Sequence, residues 1–549
     1  MRKILFSVLL FHVAFISSCK KGGDTAPPPA QDFTINSWDV EGITNQNENR
    51  GTTINPVIRL YFPFAIDRAS VASAIELHTA NYNVNYQNGD STLAIQPKSA
   101  LSYLSNYSLT VNNTLKSKSG GKLIFPVEIK LQTRYDPTFK FPVISDSALL
   151  DKIQQQTFKY FWDFGHPVSG LARERSNGNN DVVTSGGSGF GIMAIPVAVS
   201  RNFITRADGL ARMQKIVGFL KNTAVKVKGA FPHWLNGSTG AIIPFSANDD
   251  GADLVETSYL MAGLLTARQY FNGTDADETA LRNDINELWN GVEWDWFRND
   301  GQNVLYWHYS DTKQWVMNFP IQGWNECLIT YILAASSTTH GIPPSVYTNG
   351  WASGSSFLNG NTFYGHQLPL GPSLGGPLFF SHYSFLGMNP NGLSDAYANY
   401  STQTTNHSLI NYEYCKANPR RWYGYSDSCW GLTASDIQNG YTASSPTNDV
   451  GVIAATAAIS SLPYTPEESM KAIKFYYYVL GDKIWKDYGF VDAFSLHDLW
   501  FANSFLAIDQ GPQIIMIENY RTGLVWNLFM SCPEVKNGLK SLGFSAPGL

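Results

Sequence analysis

A chain of 549 residues with 44% hydrophobic and only 15% charged residues has a large interior to fill and too much length for one ordinary core. That excludes a disordered chain and a small single module. The formal net charge of −5, with no Lys/Arg run longer than two, leaves no electrostatic footprint for a nucleic-acid partner.

The first elements are targeting signals. Arg2 and Lys3 form a basic start, and residues 4–16 form an apolar run too short to span a bilayer. The run ends in Ile16-Ser17-Ser18-Cys19, which resembles a bacterial lipobox. Cleavage before Cys19 would free that thiol for lipidation; the alternative is a plain secretory signal with a chance cysteine. The expectation is a signal peptide over residues 1–18 and a Gly-, Pro-, Ala- and Lys-rich tether over 19–32. The mature chain would then be an exported lipoprotein, periplasmic or at the cell surface, held to the membrane through Cys19. Four cysteines follow: Cys327, Cys415, Cys429 and Cys532. Export permits disulfides, and Cys415 and Cys429 are the nearest pair, but buried free thiols are the favoured expectation.

Residues 33–135 have β texture. Alternating runs such as Val57-Ile58-Arg59-Leu60-Tyr61-Phe62 and Tyr107-Ser108-Leu109-Thr110-Val111 are separated by turns such as Asn88-Gly89-Asp90. About a hundred residues of this make a small sandwich. The order of these stretches also resembles a bacterial Ig-like domain.

From residue 146 to 549 the period becomes helical. Windows at 149–164, 187–199, 210–224, 254–271, 278–289, 322–335, 394–416, 449–459, 466–479, 499–508, 513–518 and 522–529 predict about a dozen helices. Long loops over 300–318, 347–376 and 418–445 are rich in Gly, Ser, Tyr and Trp, and loops on a rigid scaffold often carry function. Helical hairpins in this number fit an (α/α)6 toroid with a central funnel. The fold expected is mainly α, with a small N-terminal β-sandwich.

The densest chemistry is the run Asn248-Asp249-Asp250-Gly251-Ala252-Asp253-Leu254-Val255-Glu256. If helical, it places Asp249, Asp253 and Glu256 on one face, where like charges repel. Such a cluster suits a pair of carboxyl groups that divide acid and base work at a glycosidic bond. The plainer alternative is a helix start, with Asn248 or Asp249 as cap and Asp253 in the first turn. Glu326, in Trp324-Asn325-Glu326-Cys327, is a single acid at the predicted start of an apolar helix. Asp253, Glu256 and Glu326 are the candidate catalytic residues, with Asp249 as a substrate or water contact. Trp162, Arg173, Trp234, Trp324, His382, Tyr383 and Trp422 lie in aromatic segments that offer stacking faces and donors for sugar hydroxyls. Singly, each is more often packing. Gly186-Gly187-Ser188-Gly189-Phe190-Gly191 lacks the Lys-Ser/Thr of a phosphate loop. No histidine spacing points to a metal, and no cofactor is expected.

Taken together, several stretches resemble the glycoamylase-like domain of glycoside hydrolase family 144, over roughly residues 146–535. They are Phe161-Trp162-Asp163, Arg173-Glu174-Arg175, residues 185–191, Phe231-Pro232-His233-Trp234, residues 249–259, Trp324-Asn325-Glu326, residues 376–385 and residues 509–523. The resemblance implies an (α/α)6 toroid that hydrolyses β-1,2-linked glucan to sophoro-oligosaccharides with inversion. It carries functional acids onto Asp249, Asp253, Glu256 and Glu326. Glu256 or Asp253 is then the expected general acid, and Glu326 the partner that holds or activates water. An exo-acting, sophorose-releasing enzyme and another glucan hydrolase on the same toroid are the alternatives within enzymes. A catalytically silent, glycan-binding surface lipoprotein is the alternative outside them. A monomer is expected.

Overall fold

The computed structural model describes residues 30–549, so the expected signal peptide, most of the expected tether and Cys19 lie outside the described residues. The chain divides into two compact units after Arg134.

The first unit is a two-sheet sandwich. One sheet has the order Ile43–Thr44, Ser37–Val40, Ile58–Tyr61, Thr92–Pro97, Tyr82–Gln87, all antiparallel. The other runs Glu48–Thr52, Val127–Thr133, Asn106–Val111, Ile75–Leu77, with its first pair parallel. Alternation sets the interior: Ile58 pairs with Ile95 and Leu60 with Leu93, and these pack with Leu109, Val111, Ile129 and Leu131. This is the Ig-like domain.

The second unit is the (α/α)6 toroid. Its inner helices are buried nearly all round: Ser185–Ser200, Leu254–Tyr270, Leu328–Ser336, Ala455–Ser460 and Ala507–Arg521. Outer helices such as Asp146–Trp162, Arg206–Asn222 and Ala276–Asn290 keep one wet face. Their starts are written locally. Ser145 accepts from the Ala148 amide, and Thr205 with Asp208 forms a reciprocal capping box. The glycine-rich run 186–191 is the first half of a buried helix. A Cβ at Gly189 would sit 2.2 Å from the Tyr259 carbonyl oxygen, so the run lets the Leu254–Tyr270 helix pack against it.

Three inner helices are each fed by a short strand: Val182–Thr184, Ala252–Asp253 and Ile453–Ala454. The helical windows do not show these strands. The sequence window 322–335 also starts too early, since the helix begins at Leu328. Gly323 is left-handed (φ 80°), and the Asn325 side chain accepts from the Cys327 amide, so residues 322–327 form a turn. Residues 499–508 are not one helix: Trp500–Phe501 pairs with Ala493–Ser495, and the helix starts at Ala507. Cys327, Cys415, Cys429 and Cys532 are all buried and free. No helix among the described residues is long and apolar enough to cross a membrane.

Candidate active site

Asp253 ends its strand and caps the next helix. Its Oδ1 accepts from the amides of Val255 (3.0 Å) and Glu256 (2.9 Å). The acidic run is therefore not one helical face. Asp249 sits in a turn before the helix, and the cap is Asp253 rather than Asn248 or Asp249, because Asp253 is the last residue held extended by pairing with His308. That pairing brings in a residue sequence reasoning missed. His308 Nε2 lies 3.2 Å from Asp249 Oδ2 and 3.6 Å from Asp253 Oδ2, while His233 Nδ1 lies 3.1 Å from Asp253 Oδ2.

Burial opposes ionisation of Asp253, yet the hydrogen bonds and charges of His233 and His308 hold its carboxyl well below the usual range. Burial also works against the imidazoliums, but Glu256, Asp253 and Asp249 push His233 up to about 9. Asp249 and Asp253 do the same for His308, again to about 9. His233, Asp249 and Asp253 have donor atoms within 4.8 Å of one another, close enough for a metal. With His233 drawn to its charged form beside two carboxylates, the trio also has the charges of an ion-pair cluster.

Glu256 occupies the third helical position. A glutamate there often turns back to its own cap. Here it points across to the neighbouring helix, and its Oε2 accepts from the Gly186 amide (2.7 Å) and the Thr184 hydroxyl (3.3 Å). It thus serves the open N-terminus of the Ser185–Ser200 helix. Only glycine permits this approach, since a Cβ at 186 would lie 2.4 Å from Glu256 Oε2. Burial, then the charge of Asp253, raises the Glu256 pKa, with His233 and the Gly186 amide pulling the other way.

Glu326 stands in the turn before Leu328. The Ser384 hydroxyl (2.5 Å) and the Tyr259 hydroxyl (3.4 Å) donate to its backbone carbonyl, which fixes the turn. Its carboxyl meets the cavity in apolar surroundings, and burial, with Glu256 and Asp253 nearby, pushes it up to about 7.

Glu256 and Glu326 open onto one cleft of 390 Å³, walled by Trp234, Phe245, Tyr259, Trp307, Phe379, Tyr383 and Tyr441 and edged by Glu174, Arg175 and His233. Two buried carboxyls with separate supports among aromatic faces can divide acid and base roles on a sugar. Of the expected substrate contacts, Trp234 and Tyr383 are here.

Asp249 is not in the cleft wall; it lies behind, on His308. Five others are structural. Trp162 is sandwiched by Phe158 and Arg212. Arg173 donates to the carbonyls of Asn180 and Phe164, and it is Glu174 and Arg175 that reach the cleft. Trp324 packs in the core on Trp351 and Tyr400. His382 is buried on Ser461 and Tyr464, and burial holds its pKa down to about 3. Trp422 donates its indole to Asp449, which also receives Tyr414 and Tyr425.

A second buried acid group lies under the cleft wall. Arg175 bridges Glu174 (2.9 Å) and Asp436 (3.1 Å), and Asp492 accepts from the Asp436 amide (2.7 Å). Burial and mutual repulsion raise Asp492, to about 7, and raise Asp509 well above the usual range, so this pair keeps a proton at neutral pH.

A family model described as a glucoamylase (Glycoamylase) matches residues 318–533, and one described as a bacterial Ig-like domain matches residues 36–139. The crystal structure of an endo-β-1,2-glucanase from Chitinophaga pinensis, in complex with sophorotriose and glucose, is 51% identical. The match covers 74% of this chain and 100% of that one, with a TM-score of 0.72. The chain belongs to the glycoamylase-like hydrolases of family 144. Within this family, a β-1,2-glucanase structure from Parabacteroides distasonis is 35% identical over 94% of this chain and 74% of its own, with a TM-score of 0.72. An exo-β-1,2-glucooligosaccharide sophorohydrolase (non-reducing end) of the same species is 45% identical over 420 residues, 73% of this chain. The matched region spans 58% of that relative's length.

Proposed function

We propose that this family member hydrolyses β-1,2-linked glucan to sophoro-oligosaccharides with inversion, Glu326 giving the proton and Glu256 holding the water. The observation that carries this is the contrast between the two cleft carboxyls. Burial keeps Glu326 protonated up to about neutral pH, the state a proton donor needs. Burial raises Glu256 as well, but the charge of His233, the Gly186 amide and the Thr184 hydroxyl favour its ionised form, and Glu326 has no such side-chain partners among the described residues. Asp253 is unsuited to be the donor, since two histidines hold it ionised and both its oxygens are occupied. These roles reverse the sequence-based expectation for Glu326. The relatives named above, one endo- and one exo-acting on β-1,2-glucan, support the substrate.

The test is incubation of the pure protein with linear β-1,2-glucan. New reducing ends whose first anomer is inverted are expected; an untouched glucan removes the reading, and a retained anomer removes the mechanism. The product series separates internal cleavage from stepwise release of sophorose.

The basic start, apolar run and Cys19 support export and a lipid tether, for a chain that works as a monomer near the membrane. Metabolic labelling with a fatty-acid analogue is expected to mark the protein and to fail on Cys19→Ala. Equal labelling of both would place the anchor elsewhere.

A further inference from the structure

Beyond Arg175 and Tyr441, which line both spaces, the catalytic cleft continues into a second pocket of 440 Å³. Its wall includes Asn177, Gln438, Trp500 and Asn503. Trp500 is unusual here. Among the chain's 15 tryptophans, all within the described residues, it alone has neither a ring partner nor a hydrogen bond to its indole. It is half-buried and lines the pocket.

The backbone beside it is strained. Leu499 is left-handed (φ 53°), a conformation that is strained for a bulky residue. Asp498 braces the turn: its amide donates to Ser495 Oγ (3.2 Å), and its carboxylate accepts from Gln438 Nε2 (2.7 Å). A strained, braced turn that presents an unpartnered indole is a feature looking for a ligand. The ligand's chemistry follows from the other groups that line the pocket. Asn177 Nδ2 donates to Asn503 Oδ1 (3.0 Å), and that pair still has amide groups for hydroxyls. An apolar ring face with amides at its rim fits a pyranose, whose C–H face stacks and whose equatorial hydroxyls bond sideways.

We propose that this pocket is a distal glucosyl subsite, with Trp500 as its stacking platform, engaged only by chains long enough to run past Arg175 and Tyr441 from the cleft. The assignment rests on the β-1,2-glucan reading above and adds a chain-length determinant to it. Long glucans gain the Trp500 contact and short oligosaccharides do not, so the subsite sets the preference for long substrate.

The experiment compares kcat/KM on linear β-1,2-glucan with kcat/KM on sophorotetraose, for the wild type and for Trp500→Ala, Trp500→Phe and Asn503→Ala. The ratio of long to short is expected to fall about tenfold in Trp500→Ala, the scale of one lost aromatic stacking contact. It should be largely restored in Trp500→Phe, and should fall in the same direction in the exposed Asn503→Ala. The loss should sit in KM rather than kcat. A wild type that cleaves both substrates, with a ratio unchanged in Trp500→Ala and Asn503→Ala, overturns the subsite and leaves the activity standing. A wild type that cleaves neither removes the substrate reading and the subsite with it. Should Trp500→Ala not fold, Asn503→Ala and Trp500→Phe decide the matter on the same ratio.

Discussion

Glu326→Gln is expected to lower kcat/KM on β-1,2-glucan by about a thousandfold while making the folded protein more stable at neutral pH. The two effects share one cause. In the fold, burial raises the Glu326 carboxyl from 4.5 to about 7. A carboxyl whose folded pKa is raised favours the fold fully below its unfolded pKa, and that contribution is lost as pH rises through the folded value. The wild type should thus lose stability between about pH 4.5 and 7, as the carboxyl is forced to ionise in an apolar wall. Glutamine keeps the shape and never ionises. At pH 8 it should gain on the order of 2–3 kcal/mol over glutamate. Denaturant midpoints for both proteins across this pH range read the stability arm. In the wild type, kcat/KM should fall above about pH 7 as the donor loses its proton. A Gln variant within tenfold of wild-type activity would remove Glu326 as the donor. A variant less stable at pH 8 would remove the burial account of its pKa.

The toroid was legible because its inner helices carry so few polar residues that apolar period survives over long windows, as in residues 254–271. The sandwich was legible from strand alternation. Element starts were less so, because they depend on pairing between distant segments. Asp253 is a cap only because His308, far along the chain, pairs with it and ends the extended segment there. His308 lay in a loop whose Trp307-His308-Tyr309 composition suggested function but gave no partner. Glu256 and Glu326 stood out as acids in apolar surroundings, and that signal led to the cleft. The same signal does not work for aromatic residues. Trp162, Trp324 and Trp422 look identical in sequence to Trp234 and Trp500, because an indole is equally at home against a core and against a sugar. Asp436, Asp492 and Asp509 were not singled out as a group because they come together only when three separate segments meet under the cleft wall.

Asp253→Asn separates the two jobs of that residue. Asparagine is as good a cap as aspartate, so its side-chain oxygen can still receive the amides of Val255 and Glu256 and the helix should start where it does now. The charge, however, is gone, and together with Glu256 beside His233 and Asp249 beside His308 it holds the two imidazoles up at about 9. A buried ion pair that loses one partner leaves the other uncompensated, at a cost of about 3–5 kcal/mol. Asp249 still faces His308, and Glu256 still faces His233, which places the expected loss at the lower end, near 3 kcal/mol at pH 7. The direction with pH follows from the signs. The raised histidines stabilise the fold fully below their unfolded pKa, and that stability disappears as pH passes about 9. Removing Asp253 should move the loss down towards neutral pH, so the Asn variant should differ most from wild type below about pH 7, and the difference should shrink as pH rises to about 9. Imidazole titration by NMR reads this directly, since both histidines should titrate at lower pH in the variant. Asp253→Ala, which also removes the cap, should lose about 1 kcal/mol more. Activity should fall together with stability, because the ion-pair cluster holds the strand and helix start that aim Glu256. If Asp253→Asn keeps wild-type stability and both histidine titrations yet abolishes turnover, Asp253 acts on the substrate itself and the supporting role argued from its two histidines is wrong.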